Sequence, residues 1–133
     1  LEYLETSGVP VITYGADSFP AFYSRESGFA AECRIDEPEK ISALIRTKEQ
    51  LGLRGGILVA CPIPEEDEIP FEKMDVVIKQ ALKECEEKGV KGKRITPFLL
   101  SKVKDLTEGS SLEANIKLVL HNADIGSKIA ANI

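Results

Sequence analysis

Hydrophobic residues along the chain recur with two spacings, one typical of strands and the other typical of amphipathic helices. Residues 9–15 and 55–62 are short apolar runs bounded by glycine or proline, which predicts strands buried on both faces. Residues 32–35 alternate charged and apolar side chains and indicate a third, half-exposed strand. Apolar residues three and four apart predict the other elements, which are the end of a helix before Gly8 and helices over 36–52, 71–89, 96–109 and 110–132.

Polar residues at the starts of three of these helices match known capping patterns. A Ser, Thr or Asp side chain there accepts a hydrogen bond from a free N–H of the first turn, and a Glu three residues later completes a capping box. The predicted caps are Asp36 with Glu39, Thr96 with Pro97 in the first turn, and Ser110 with Glu113.

The order of the elements predicts an α/β fold, with a short, mainly parallel sheet packed by amphipathic helices. Only two strands are of the fully buried type, whereas a sheet usually has about five strands. The chain also begins at Leu1, within an apparent helix and without a methionine. We therefore expect residues 1–133 to be part of a single larger α/β domain, with the missing strands upstream.

Composition and charge narrow the possible partners. The chain has 133 residues, of which 43% are hydrophobic, and 17 basic and 22 acidic residues give a net charge of -5. The basic residues are dispersed, so nucleic acid and membranes are not expected as partners, and no apolar run approaches the ~20 residues of a membrane span. Three cysteines without a CxxC spacing indicate free thiols and a cytoplasmic protein, or an organellar one if a targeting signal precedes the chain.

The common catalytic motifs for acyl or phosphoryl transfer do not occur in the chain. His121 is the only histidine, and on a polar helix a surface or structural role is more usual than catalysis. The loop at 62–70 has four consecutive acidic residues that could bind a hard cation, although such runs are usually solvated.

An aromatic loop at 17–29 follows the first buried strand, at the end of the sheet where α/β proteins place their sites. Its rings could simply anchor the loop. Alternatively the loop covers a site, with Ser24 and Arg25 available to an anionic ligand.

A carboxamide lies within an apolar stripe of the last predicted helix. Leu112, Ile116 and Val119 recur at helical spacing, and Asn115 lies between them. Asn115 could satisfy a loop backbone, or it could bind a ligand, since its donor and acceptor match an imide or amide edge such as that of uracil. The residues alone leave both interpretations open, and Asn122 is interpreted as structural.

The strings LEYLET, FPAFYS, PIPEE, TPFLL and SLEAN occur in this order over the whole chain. Together they resemble the C-terminal half of the pseudouridine-5'-phosphate glycosidase family, also called the indigoidine synthase A-like family. The resemblance implies an α/β enzyme that reversibly cleaves the C–C glycosidic bond of pseudouridine 5'-phosphate to uracil and ribose 5-phosphate. It also implies a homotrimer, a divalent metal, typically manganese (Mn²⁺), and a lysine that forms an imine with the opened ribose.

The resemblance assigns few roles within these residues. The asparagine of the SLEAN string contacts uracil in the family and corresponds to Asn115. The imine lysine, the acidic residue and the metal ligand belong to motifs upstream of LEYLET, so no catalytic or metal-binding residue is expected here. Ser24, Arg25 and Thr96 lie in motif strings as weaker candidates for substrate binding. Cys61 stands where family members have asparagine.

Two alternatives remain at this stage. The chain could be a stand-alone, non-catalytic binding or regulatory module, or it could belong to a related enzyme of pigment biosynthesis. A sugar kinase domain is fused beyond this region in some family members, and the chain itself does not decide that point.

Overall fold

A computed structural model describes all residues, Leu1–Ile133, and contains one three-stranded parallel sheet in the order β2–β1–β3. The strands are β1 (Val11–Tyr14), β2 (Arg34–Ile35) and β3 (Leu58–Ala60). Thr13 pairs with Arg34 on one side and with Ala60 on the other. The three strands are shorter than predicted, and the α/β class with a short parallel sheet is confirmed.

Five α-helices accompany the sheet, in the order that the sequence predicts. They are α1 (Glu2–Thr6), α2 (Pro38–Gln50), α3 (Phe71–Glu87), α4 (Ile95–Leu106) and α5 (Ser110–Ala130). Short 3-10 turns at Glu65–Asp67 and Gly92–Arg94 precede α3 and α4. None of the five helices combines the length and apolar character needed to cross a lipid bilayer.

The predicted helix caps are wrong in detail. The residues at the N-cap positions of α2, α4 and α5 are Glu37, Arg94 and Gly109, and none of these positions makes a side-chain capping hydrogen bond. Thr96 lies inside α4 because the preceding 3-10 turn already directs the chain into the helix. At α5 the Thr107 Oγ1 accepts the Ser111 N–H instead, at 3.2 Å.

Two apolar clusters stabilise the fold, and α5 contributes to both. The first cluster lies between β1, α2 and α5 and comprises Ile12, Ile41, Ile125 and Ile129. The second includes Tyr23, Ile63, Met74, Ala81, Val103, Ala114 and Leu118, from the aromatic loop, the acidic loop at 62–70, α3, α4 and α5. Helix α5 therefore joins the sheet to the helical half of the molecule, because Ala114, Leu118, Ile125 and Ile129 recur along one face.

The apolar stripe predicted for the last helix is not its buried face within this chain. Leu112, Ile116 and Val119 are 42%, 51% and 57% exposed, whereas Ala114 and Leu118 are buried. Both sets of residues have helical spacing, and the set with Ala114 and Leu118 is buried because it packs against α4. Asn115 consequently lies at the border between the buried and exposed faces and is half-buried.

Candidate functional site

A cavity of about 290 Å³ lies where α4, the start of α5 and the aromatic loop meet. We call it the Asn115 cavity, and its lining comprises Tyr23, Leu100, Ser101, Lys104, Ser111, Leu112 and Asn115. The lining offers a carboxamide, an ammonium group, hydroxyls and apolar surface. It contains no carboxylate, although the chain has 22 acidic residues, so it suits a neutral or anionic polar ligand.

The carboxamide of Asn115 is free to bind a ligand in this structure. The side-chain hydrogen bonds around the start of α5 join Thr107, Ser110 and Ser111, and none of them involves Asn115. An amide that satisfied a loop backbone would be expected to show such a bond. The structure therefore gives no loop-backbone partner for the Asn115 carboxamide, and a ligand-binding role for Asn115 stays a prediction.

Tyr23 carries a hydroxyl to this cavity from the aromatic loop. Its side chain is only 6% exposed, and burial raises the pKa of Tyr23 above its ordinary value of 10.0, while the adjacent Ser111 hydroxyl lowers this pKa in part. Tyr23 is thus a neutral phenol near pH 7. The sequence analysis did not select Tyr23 or Ser111, although both lie in the FPAFYS and SLEAN strings.

An apolar groove, also of about 290 Å³, adjoins the Asn115 cavity. Its lining includes Phe22, Tyr23, Ile78, Thr96, Leu99 and Leu100. Tyr23 and Leu100 line both spaces, so the two are neighbours. Thr96 is therefore placed beside the candidate site, on the exposed first turn of α4, and it does not line the Asn115 cavity.

Ser24 and Arg25 connect the aromatic loop to the acidic loop at 62–70. The buried Ser24 Oγ donates to the Ile69 carbonyl at 2.6 Å. The Arg25 Nη1 donates to the Ile63 carbonyl at 2.7 Å, and the Arg25 N–H donates to Glu68 Oε1 at 2.7 Å. These bonds hold the loop that presents Tyr23. A direct role for Ser24 and Arg25 in substrate binding stays a prediction.

The surroundings of Arg25 do not favour an anionic ligand. The cavity beside it, about 350 Å³, is also lined by Glu26, Glu65, Glu68 and Glu72. Carboxylates at this density repel a phosphate or carboxylate ligand. The largest cavity, about 880 Å³ between α1 and the aromatic loop, likewise carries three glutamates and is unsuited to a sugar phosphate.

The chain does not provide a fit for the implied manganese ion. No group of three or more His, Cys, Asp or Glu side chains is arranged to hold a metal ion, and this includes the acidic loop. Manganese stays a prediction about the larger domain. His121 is half-buried on α5 and does not line the Asn115 cavity.

Cys61 follows β3 and packs against the apolar cluster around Ile12, away from the Asn115 cavity. Burial raises the pKa of the Cys61 thiol, so the group behaves as a small apolar side chain. Cys61 therefore contributes no group to the lining of the Asn115 cavity.

Comparison with known proteins supports the expected relationship. The family model described as indigoidine synthase A like protein matches residues 1–132. Proteins named pseudouridine-5'-phosphate glycosidase are 50% identical in Clostridium botulinum, over all of this chain, and 55% identical in Paracoccus denitrificans, over 98% of it. The chain spans 43% of the length of each of these relatives.

Two solved structures share the fold. The prealnumycin C-glycosynthase AlnA, crystallised with ribulose 5-phosphate, has a TM-score of 0.86 and 29% sequence identity to this chain. The match covers 98% of this chain and 43% of the AlnA chain. An indigoidine synthase A-like protein from Thermotoga maritima has a TM-score of 0.85 at 33% identity, over 97% of this chain and 42% of its own. By sequence and by fold, the chain belongs to the indigoidine synthase A-like family.

Proposed function

We propose that this chain forms the uracil-binding part of a pseudouridine-5'-phosphate glycosidase. The proposed reaction is reversible cleavage of the C–C bond of pseudouridine 5'-phosphate to uracil and ribose 5-phosphate. The observation that carries the proposal is the unpaired Asn115 carboxamide in the wall of a cavity without carboxylates, in a chain 50–55% identical to proteins of that name.

Asn115 is suited to recognise one edge of the pyrimidine. Its Nδ2 donates to a ring carbonyl while its Oδ1 accepts from the adjacent ring N–H, which pairs both polar groups of the carboxamide. The Lys104 ammonium in the same lining is placed to favour the negative charge that develops on the departing base. Tyr23 and Ser111 supply further hydroxyl groups to the same wall.

The remaining chemistry is proposed to lie outside these residues. A C–C bond has no leaving-group oxygen to protonate, so a lysine imine of the opened ribose is the expected electron sink. We assign that lysine, the manganese ion and the carboxylate that moves protons to the rest of the domain. The complete protein is proposed to be a cytoplasmic homotrimer.

The test uses a chimera in which this chain replaces the matching 43% of the Clostridium botulinum relative. Synthesis of pseudouridine 5'-phosphate from uracil and ribose 5-phosphate gives a KM for each substrate. We expect the chimera to be active and Asn115→Ala to weaken uracil recognition by about 1–3 kcal/mol, the cost of leaving buried polar groups unpaired. The KM for ribose 5-phosphate should change little.

Asn122→Ala is the matched control, since Asn122 is an exposed asparagine on the same helix. It should leave both KM values unchanged. An Asn115→Ala chimera that folds and keeps the KM for uracil would show that Asn115 is structural.

A second candidate function is C–C bond formation between a sugar phosphate and a non-pyrimidine acceptor. The fold similarity to AlnA, whose crystals contain ribulose 5-phosphate, is the observation in its favour. The identity of 29% to AlnA is well below the 50% shared with the Clostridium relative, which favours the glycosidase. A chimera that is folded but inactive with uracil would favour the second candidate.

A further inference from the structure

Phe22 has a backbone conformation that a bulky side chain rarely adopts. Its φ is +60°, and Glu108, with φ +52°, is the only other residue besides glycine with a positive φ. The Tyr23 N–H donates to the Ala21 carbonyl at 2.7 Å, which closes a three-residue turn centred on Phe22. A γ-turn with positive φ at its centre is rare and strained, particularly for an aromatic residue.

The residues around the turn maintain this conformation. Ala21 and Ser24 form an antiparallel bridge across the turn, with the Ala21 N–H donating to the Ser24 carbonyl at 2.9 Å. The buried hydroxyl of Ser24 is held by the Ile69 carbonyl, and the Tyr23 ring is buried. Strain persists only where the surroundings enforce it, and it concentrates at functional sites.

The strained turn brings the Phe22 ring to the wall of the apolar groove. The ring remains 48% exposed, so its position contributes little to the core. It meets the Tyr23 ring edge to face, with centroids 4.6 Å apart and planes at 82°. Tyr23 lines both the groove and the Asn115 cavity, so the Phe22 ring lies in the groove beside a residue that the two spaces share, although Phe22 itself does not line the Asn115 cavity.

We propose that the Phe22 ring is the surface on which the pyrimidine base stacks while Asn115 binds its edge. This inference rests on the proposed function. A planar base held at its edge by a carboxamide still needs an apolar contact for its face, and a half-exposed aromatic ring provides one. The backbone strain is then the cost of presenting the ring to the ligand, and Phe22 determines specificity for a planar ring.

The test measures uracil binding to the chimera with the Clostridium botulinum relative by ligand-observed NMR, with the thermal midpoint as a check on folding. Phe22→Gly removes the ring and relieves the positive φ. We expect it to weaken uracil binding by about 5- to 150-fold, the range for loss of one base-stacking contact, without lowering the thermal midpoint. Phe22→Leu keeps apolar packing and should weaken binding similarly, while Phe22→Tyr should restore it.

Glu108→Gly is the matched control because it relieves the other positive φ at a site away from the groove. It should leave uracil affinity unchanged. Affinity within twofold of the unaltered chimera for folded Phe22→Gly and Phe22→Leu variants overturns the proposal for Phe22.

The Asn115→Ala chimera, measured in parallel, separates this inference from the proposed function. If uracil binds and only Phe22 substitutions weaken it, the stacking role stands and the role of Asn115 fails. If only Asn115→Ala weakens binding, the stacking role fails and the role of Asn115 stands. Failure of the folded, unaltered chimera to bind uracil overturns both assignments.

Discussion

Tyr23 is the side chain that links the aromatic loop to the candidate site. It belongs to the second apolar cluster, its ring contacts Phe22, and its hydroxyl reaches the cavity beside Ser111. A single residue thus connects the packing of the fold to the lining of the site. Removal of the hydroxyl alone, in Tyr23→Phe, separates these two contributions.

The raised pKa of Tyr23 predicts a pH dependence of stability. Burial favours the neutral phenol, so the folded chain holds this proton more tightly than the unfolded chain does. The resulting stabilisation is fully present below pH 10 and is lost as the pH rises through the higher pKa of the folded state. The free energy of unfolding should therefore fall more steeply above about pH 10 in the unaltered chain than in Tyr23→Phe.

Denaturant unfolding at intervals from pH 8 to 11.5 measures this difference. Near pH 8 the two proteins should differ by about 1 kcal/mol or less, the net contribution of one hydroxyl group. Parallel curves for the two proteins up to pH 11.5 would contradict the assignment of a raised pKa to Tyr23.

At the scale of the element, α5 has two apolar faces and only one is buried. Leu118 is 6% exposed and packs in the second cluster, whereas Ile116 is 51% exposed. Leu118→Ala should lower the free energy of unfolding by about 2–5 kcal/mol, because it leaves a cavity between α4 and α5. Ile116→Ala, the matched control two residues away, should change it by about 0.5 kcal/mol or less.

Chemical denaturation with both variants measures the two values directly. Equal losses for Leu118→Ala and Ile116→Ala would show that the exposed face of α5 is buried in solution, as in a self-associated chain. Size-exclusion chromatography of the same samples would then reveal the association.

The buried and exposed apolar faces of α5 show which features of the fold can be predicted from the sequence and which cannot. The order and approximate limits of the helices follow from hydrophobic spacing, and glycines such as Gly89 and Gly109 mark their ends. The buried face of α5 does not follow, because two rows of apolar residues have the same period and only contact with α4 distinguishes them. The prediction of the helix caps was wrong for a similar reason. The Thr96 hydroxyl could cap a helix, but the 3-10 turn that precedes α4 had no clear signal in the sequence.

The candidate site was predictable only in part. Asn115 could be identified because it interrupts an apolar stripe and lies in a family string. Tyr23 and Ser111 could not be paired, because they are distant in the sequence and only the tertiary fold brings them together. The strained turn at Phe22 has no local signal either, since proline and serine flank many ordinary loops.

At the scale of the whole chain, the lysines of residues 1–133 show none of the features that are typical of imine-forming lysines. No lysine side chain is buried, and imine-forming lysines are typically desolvated so that the neutral amine is available. The pKa of Lys40 is raised beside Glu37, and that of Lys128 is raised beside Asp124, which is the direction opposite to activation. This agrees with the proposal that the imine lysine lies in the part of the relatives that this chain does not span.

Borohydride trapping with ribose 5-phosphate tests this division of roles. We expect the 133-residue chain to form no site-specific adduct and to cleave no pseudouridine 5'-phosphate, because none of its lysine side chains is buried. The chimera with the Clostridium relative should form one adduct, and peptide mapping should place it outside the segment contributed by this chain. An adduct on a lysine of residues 1–133, lost when that lysine is changed to arginine, would contradict the division.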